Sequence, residues 1–198
     1  MSKNARTDYP VMNTLAVRWS PYAFSVNPVS PIDLKCLFEA ARWAPSSYNE
    51  QPWRYLVGIK GQGHAHARIL ACLAEPNQAW ARNAPVLAVG VVMRQLAANG
   101  KANKAAEHDL GLASANLVME ATVRGLHVHQ MIGLDPEALR TAFAIPPEAD
   151  ALTALAIGHV DASQNADPAL RERDAKPRAR RPIGEFVFGD QFGQTADL

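Results

Sequence analysis

The ten residues from Ala44 to Trp53, Ala-Pro-Ser-Ser-Tyr-Asn-Glu-Gln-Pro-Trp, set two prolines, two serines, two side-chain amides and a tryptophan side by side. Each proline restrains its own φ and turns the preceding residue away from helix, so the segment is held in a rigid, irregular shape. Its backbone N–H groups and the Ser46, Ser47, Asn49 and Gln51 side chains offer donors and acceptors together, the combination that a flat heteroaromatic ring requires. A second group lies near the C-terminus, in Arg178-Ala179-Arg180-Arg181-Pro182. Residues at i and i+2 of an extended segment share a side, so Arg178 and Arg180 point together and Arg181 away. Read alone, such a basic run also suits a solvated or nucleic-acid-seeking tail.

Other constellations carry less. His64-x-His66 and His127-x-His129 put imidazoles at i and i+2, but neither pair has a third ligand at metal-site spacing. No GxSxG elbow is present for a nucleophilic triad. Gly61-Gln62-Gly63 is followed by neither the third glycine nor the later acidic residue of a dinucleotide fingerprint, so it reads as a turn.

The elements that position these residues follow from periodicity. Residues 31–43 carry apolar side chains at helical spacing, with Ser30 as N-cap and Pro31 at the first position, and deliver the chain into the decapeptide. Residues 54–59 read as a strand, 64–73 as a helix, and 85–93 as a continuous apolar strand covered on both faces. A long Ala-rich helix spans 102–124 and ends at Gly125, with Gly111, Ala113, Ser114 and Ala115 small enough for another helix to approach. A short connection or strand at 126–132, a helix at 136–144 begun by Asp135 and Pro136, and a strand at 152–160 follow. The polar tail from Asp161 turns apolar again at 183–188. The order implies an α+β fold of sheet and helical layers.

With 198 residues the chain suits one domain, 1–198, with residues 1–10 flexible and 161–198 an extended C-terminal arm. A formal net charge of +1, 48% hydrophobic and 20% charged residues describe an ordinary globular chain and give no electrostatic case for nucleic acid or a membrane. Cys36 and Cys72 are too far apart for a CxxC motif and read as reduced and structural. Without an apolar leader or a bilayer-length apolar stretch, the expected location is cytoplasmic.

The decapeptide closely resembles the Ala-Pro-Ser-Ser-x-Asn-x-Gln-Pro-Trp signature of the nitroreductase family of FMN-dependent oxidoreductases. Three further segments resemble that family in the same order over nearly the whole chain. Arg18-Trp19-Ser20-Pro21-Tyr22-Ala23-Phe24 is similar to its Arg-x-Ser-x-basic-x-Phe start, with Tyr22 standing where the family usually has Arg or Lys. Arg178-Ala179-Arg180-Arg181-Pro182 is similar to its Lys/Arg-x-Arg-x-Pro end. Residues 125–135 resemble the loop that passes the central flavin ring.

The resemblance implies a three-layer fold with a mixed central sheet, helices on both faces, and an interlocked homodimer whose FMN sites lie at the subunit interface. Arg18, Ser20, Arg178 and Arg180 would hold the FMN phosphate, with Trp19 beside them, because planar guanidinium donors suit a dianion. Ser46, Ser47 and Asn49 would meet the ring. Gln130, Met131, Ile132 and Gly133 would pass it, the Ile132 and Gly133 amides near N5, and Asn77 would reach the ring or the ribityl chain. His127 and His129 would border the substrate pocket or fill a plain polar role. The tail at 186–188 would be either an arm exchanged with the partner or an intramolecular edge strand.

The implied activity is a ping-pong cycle in which NADPH or NADH passes hydride to the flavin and a small-molecule electron acceptor, a nitroaromatic, quinone or enone, removes it. The flavin would carry the chemistry, with no catalytic side chain and no metal. The alternatives are a flavin-binding carrier or sensor without turnover and a flavin-cleaving or dehalogenating relative; the stretch between Gly61 and Trp80 leaves little room for the added lid of the latter.

Overall fold

Val86 to Val89 are fully buried, and the strand they begin is the hub of the fold because both of its faces are covered. The computed structural model describes residues 3–164 and 166–198. In chain order the elements are α1 (Asn13–Val17), α2 (Pro31–Arg42), β1 (Trp53–Ile59), α3 (Ala65–Ala71), α4 (Glu75–Ala81), β2 (Val86–Met93), α5 (Ala106–Val123), β3 (His127–Met131), α6 (Pro136–Phe143), β4 (Ala149–Gly158) and α7 (Pro168–Ala175). Short 3-10 turns lie at Ser47–Asn49 and Ile183–Glu185.

The strands form one four-stranded sheet in the order β1-β2-β4-β3. Val86, Ala88 and Val92 of β2 join Leu155, Ile157 and Val128 against α2 and α5. The alternate residues Leu87, Val89 and Val91 join Ala154, Ala156 and Met131 against Ile69, Trp80 and Leu139 of α3, α4 and α6. The period-two alternation of a strand thus feeds two apolar cores, which is why β2 reads as an unbroken apolar run. Local signals end the helices as expected. The Ser30 hydroxyl accepts from the Asp33 amide at 3.0 Å, the Asp135 carboxylate accepts from Glu137 and Ala138, and Gly125 takes φ 71° after α5.

Four expectations need correction. Every pairing among β1–β4 is antiparallel, so the described strands form no mixed sheet. The tail segment 183–188 that could have supplied another strand begins with a 3-10 turn at Ile183–Glu185 instead, and Phe188 makes an isolated bridge to Thr195. Nor is the arm from residue 161 extended throughout: Asp167 caps α7 by accepting from the Ala169 amide, with Pro168 at the first position. The long helix begins at Ala106 rather than 102, because the Asn103 side chain accepts from the Ala105 amide and holds a turn before it.

At Gly58 the sheet meets α3 backbone to backbone: a Cβ there would stand 2.4 Å from the His66 nitrogen. No rotamer relieves a backbone clash of this kind. Gly58→Ala is expected to destabilise the fold by about 1–3 kcal/mol, read as a lower urea midpoint at unchanged m value; a midpoint at the wild-type position would contradict the close approach.

Candidate functional site

Arg18 closes α1, and Arg178 and Arg180 follow α7. None of the ion pairs among the described residues includes any of the three. Instead they act on one another. Burial and the nearby Arg178 and Arg180 charges lower the Arg18 pKa, and burial with Arg180 lowers that of Arg178. Carbonyls hold the group in place: Arg178 Nη1 donates to the backbone oxygens of Lys3 at 2.8 Å and Ala16 at 2.7 Å. Arg18 Nη1 lies 3.4 Å from Ser20 Oγ. A cavity of about 940 Å³, lined by Lys3, Trp19, Arg171, Asp174, Lys176 and Arg178 among others, opens beside them. Guanidinium groups gathered without a counter-ion are suited to a bound dianion such as a phosphate monoester.

Trp19 and Tyr22 turn to other tasks. The Trp19 ring sits edge-on to His127 at 5.5 Å and under the Lys3 ammonium at 4.6 Å, so it walls the cavity. Tyr22 packs edge-on against Trp80 and His129, with the Arg173 guanidinium 3.6 Å from its ring centre. A cationic side chain could not occupy that aromatic, Arg-capped position, which accounts for a phenol where the family motif has a basic residue. His129 Nδ1 donates to the Pro21 carbonyl at 2.8 Å, while the buried His127 Nδ1 has no hydrogen-bond partner among the described residues. Burial lowers both imidazole pKa values.

At the far end of β3 the chain turns through Ile132 and Gly133. The Gly133 carbonyl accepts from the Ala74 amide at 3.0 Å and from Asn77 Nδ2 at 3.1 Å, and Thr153 Oγ1 donates to the Met131 carbonyl. Asn77, on α4, therefore fixes this turn from behind; a Cβ on residue 133 would stand 2.6 Å from its Nδ2. Ile132 is 85% exposed, Gln130 is exposed and Met131 is buried. Neither the Ile132 nor the Gly133 amide donates to a partner among the described residues. The turn thus presents N–H groups able to donate to a bound acceptor.

The Ser46–Gln51 loop departs most from easy backbone geometry. Tyr48, Asn49 and Gln51 all take φ between 51° and 55°, a region costly for non-glycine residues by on the order of 1–3 kcal/mol each. Its hydrogen bonds explain its persistence. Gln51 N donates to Ser46 Oγ at 3.0 Å, Gln51 Nε2 bonds the Asn49 carbonyl and side-chain oxygens, and the Ala97 amide donates to the Glu50 carboxylate. Ser47 N donates at 3.1 Å to the carboxylate of Asp109, which is 1% exposed on α5. Asp109 was not among the sequence candidates. Its signal was available, since an acidic residue falls on the apolar stripe of Ala106, Leu110 and Ala113.

These groups do not all meet within one chain. Arg18, Ser20, Arg178 and Arg180 lie toward the start of β3, Gln130 to Gly133 at its end, and Asn77 behind that end, so these line one sheet edge. Ser46, Ser47 and Asn49 precede β1, at the opposite edge. Three strand spacings, roughly 14 Å, separate the two edges, and no hydrogen bond among the described residues joins them.

A model of the "Nitroreductase family" matches residues 15–79 and 60–159. The chain belongs to the nitroreductase family. A crystal structure of an FMN-containing oxidoreductase is 30% identical, with 98% of this chain and 99% of that one covered and a TM-score of 0.90. A structure of a provisionally named nitroreductase with FMN, from Desulfovibrio desulfuricans, shares the fold at 24% identity and TM-score 0.72, over 94% and 99% of the two chains. Among curated sequences, an uncharacterized 15.4 kDa protein of Mycolicibacterium smegmatis is 38% identical over 43% of this chain and 57% of its own length. A Streptomyces coelicolor protein provisionally named an NADH dehydrogenase/NAD(P)H nitroreductase is 27% identical over 70% of this chain and 77% of its own length.

Asp109→Ala strands the Ser47 amide above a small cavity. It is expected to cost about 1–3 kcal/mol in chemical denaturation, with Asp109→Asn costing less; equal stability of Asp109→Ala and wild type would remove this anchor. The histidines give a pH prediction. Burial lowers the pKa of His66, His127 and His129 below the ordinary 6.5. Between the folded values and 6.5 the unfolded chain binds more protons, so stability rises with pH there and levels off above. Melting temperatures should fall as pH drops below 6.5; a temperature independent of pH from 7.5 down to 5 would contradict burial of neutral imidazoles.

Proposed function

We propose that the chain is an FMN-dependent oxidoreductase that uses NADH or NADPH to reduce a small electrophilic acceptor such as a nitroaromatic or quinone, and that it works as an interlocked, three-layer homodimer. The observation that carries this reading is the β3 edge, with unpaired guanidinium groups toward its start and free amides at its end. About 17 Å of strand runs from His127 to Ile132, so an anion site and a ring-facing donor site lie in one line. When bound, FMN supplies the atom that accepts and gives hydride. Arg18, Ser20, Arg178 and Arg180 hold its phosphate. The Ile132 and Gly133 amides, backed by Asn77, donate toward the ring whatever side chains they carry. No acid or base side chain is needed; NAD(P)H and the acceptor take turns at the same exposed face.

The Ser46, Ser47 and Asn49 loop reaches the ring from a second copy of the chain, because in its own copy it stands at the far sheet edge. Exposed apolar groups support such a contact: Tyr48 is 93% exposed and Ile132 85%. Gly111 on α5 has nothing within 4 Å of a would-be Cβ, leaving room for a partner helix. Phe186 and Phe192 on the tail are exposed and suit an interlocking arm.

Two measurements test the proposal. The purified protein should carry or take up FMN and lose its yellow absorption on anaerobic addition of NADH or NADPH; bound flavin that never bleaches would favour a carrier, and no flavin uptake would defeat the reading. For the shared site, a chain with Ser47→Ala and Asn49→Ala and a chain with Arg178→Ala and Arg180→Ala should each bind FMN about tenfold or more weakly. Refolded together, they should recover one strong site in each mixed dimer. A mixture no better than either parent would mean that each site is built within one chain.

A further inference from the structure

One carboxylate beside the arginines is committed to the backbone. Asp174, in the last turn of α7, accepts from two consecutive amides, Tyr22 N at 2.8 Å and Ala23 N at 3.0 Å, one to each carboxylate oxygen. It joins none of the ion pairs among the described residues, although it lines the same cavity as Arg178. The Arg173 guanidinium before it stands 3.6 Å from the Tyr22 ring centre, and the Asp174 backbone carbonyl accepts from the Lys3 ammonium.

Four residues later Arg178 makes the second tie, donating to the Ala16 carbonyl. The segments 16–23 and 174–178 are therefore stitched at both ends, Asp174 to Tyr22 and Ala23 at one and Arg178 to Ala16 at the other. Arg18 and Ser20 lie on the stretch between these ties. The far side of that stretch is also pinned, since Ala23 O accepts from Asp161 N, and Ser25 N donates to His159 O. The Asp174 tie thus sets where Arg18 and Ser20 stand relative to Arg178 and Arg180. The carboxylate turns each oxygen to an amide and joins no guanidinium in an ion pair among the described residues, which leaves the arginines available to an incoming anion.

Resting on the FMN reading, we propose that Asp174 is the positioning residue of the phosphate site: it joins the two chain segments that carry the arginines and so confers preference for FMN over riboflavin, which lacks only the phosphate. It touches no reacting atom. Its loss should act on the phosphate end and leave the ring contacts alone.

The test titrates flavin-free full-length protein with FMN and with riboflavin, following flavin fluorescence, and takes the ratio of the two dissociation constants as the phosphate preference. Wild type should prefer FMN by at least about a hundredfold. Asp174→Ala should lower that preference about tenfold with riboflavin affinity unchanged. Asp174→Asn keeps one acceptor oxygen and should fall between; it also serves if the alanine variant does not fold. A preference equal to wild type in both variants, or equal weakening of FMN and riboflavin, would overturn the positioning role while leaving the FMN reading intact. Wild-type protein that binds both flavins alike would overturn the phosphate site itself, and the role of Asp174 with it.

Discussion

Guanidinium groups held in one another's field, with no ion pair to them among the described residues, set the terms for the surrounding structure. Arg18, Arg178 and Arg180 repel, and the partial burial of Arg18 and Arg178 adds to the cost of their charge. Such a group does not stay assembled by itself. The Lys3 and Ala16 carbonyls fix Arg178, and the nearby carboxylate is directed to backbone amides. Ties from residue 3 through α1 to α7 and its sequel hold the segment that carries Arg18 beside Arg178. On the proposed reading a bound dianion would relieve this repulsion, so the cost of holding the arginines together and their affinity for phosphate would have one origin.

The opposite sheet edge handles charge and strain in the reverse sense. There a carboxylate is buried and the loop before β1 is bent into positive φ at Tyr48, Asn49 and Gln51. Asp109 lies in the first turn of α5, where the helix N-terminus favours negative charge. It extends that field to the Ser47 amide. A loop so contorted keeps its shape only when surrounding bonds over-determine it, and a pre-shaped loop loses less entropy when a flat ring docks. Rigidity at one edge and unpaired cations at the other are two ways of preparing a site before its ligand arrives.

What could be read from the sequence was whatever local chemistry decides. Ser30 with Pro31, Asp135 with Pro136, and Gly125 each mark a helix end by a hydrogen bond or a φ value that nearby residues determine. The apolar run of β2 announced a doubly covered strand for the same reason. Polar α7 was passed over because it carries no apolar stripe and buries no residue; α4 was hidden by Pro76, which the first turn of a helix tolerates. Tyr22 looked anomalous against a motif but fits once Trp80, His129 and Arg173 surround it. The separation of Ser47 and Asn49 from Arg18 and Gly133 was illegible, since it depends on β4 inserting between β2 and β3 in the sheet, a pairing that no local pattern encodes.

That insertion carries a consequence for assembly. It leaves β1 and β3 as the two edges, and an uncovered edge strand invites indiscriminate pairing. β3 is short, five residues, and its line of polar positions is occupied by a ligand on the proposed reading. A two-fold contact that lays the decapeptide of one copy over the β3 edge of the other is isologous, so one contact generates its equivalent and the dimer closes. On the proposed reading that contact would cover an edge, bury Tyr48 and Ile132, and bring Ser46, Ser47 and Asn49 to the β3 edge. On that reading, edge protection and completion of the site would be one structural requirement, met by the placement of the two candidate halves on opposite edges of a single sheet.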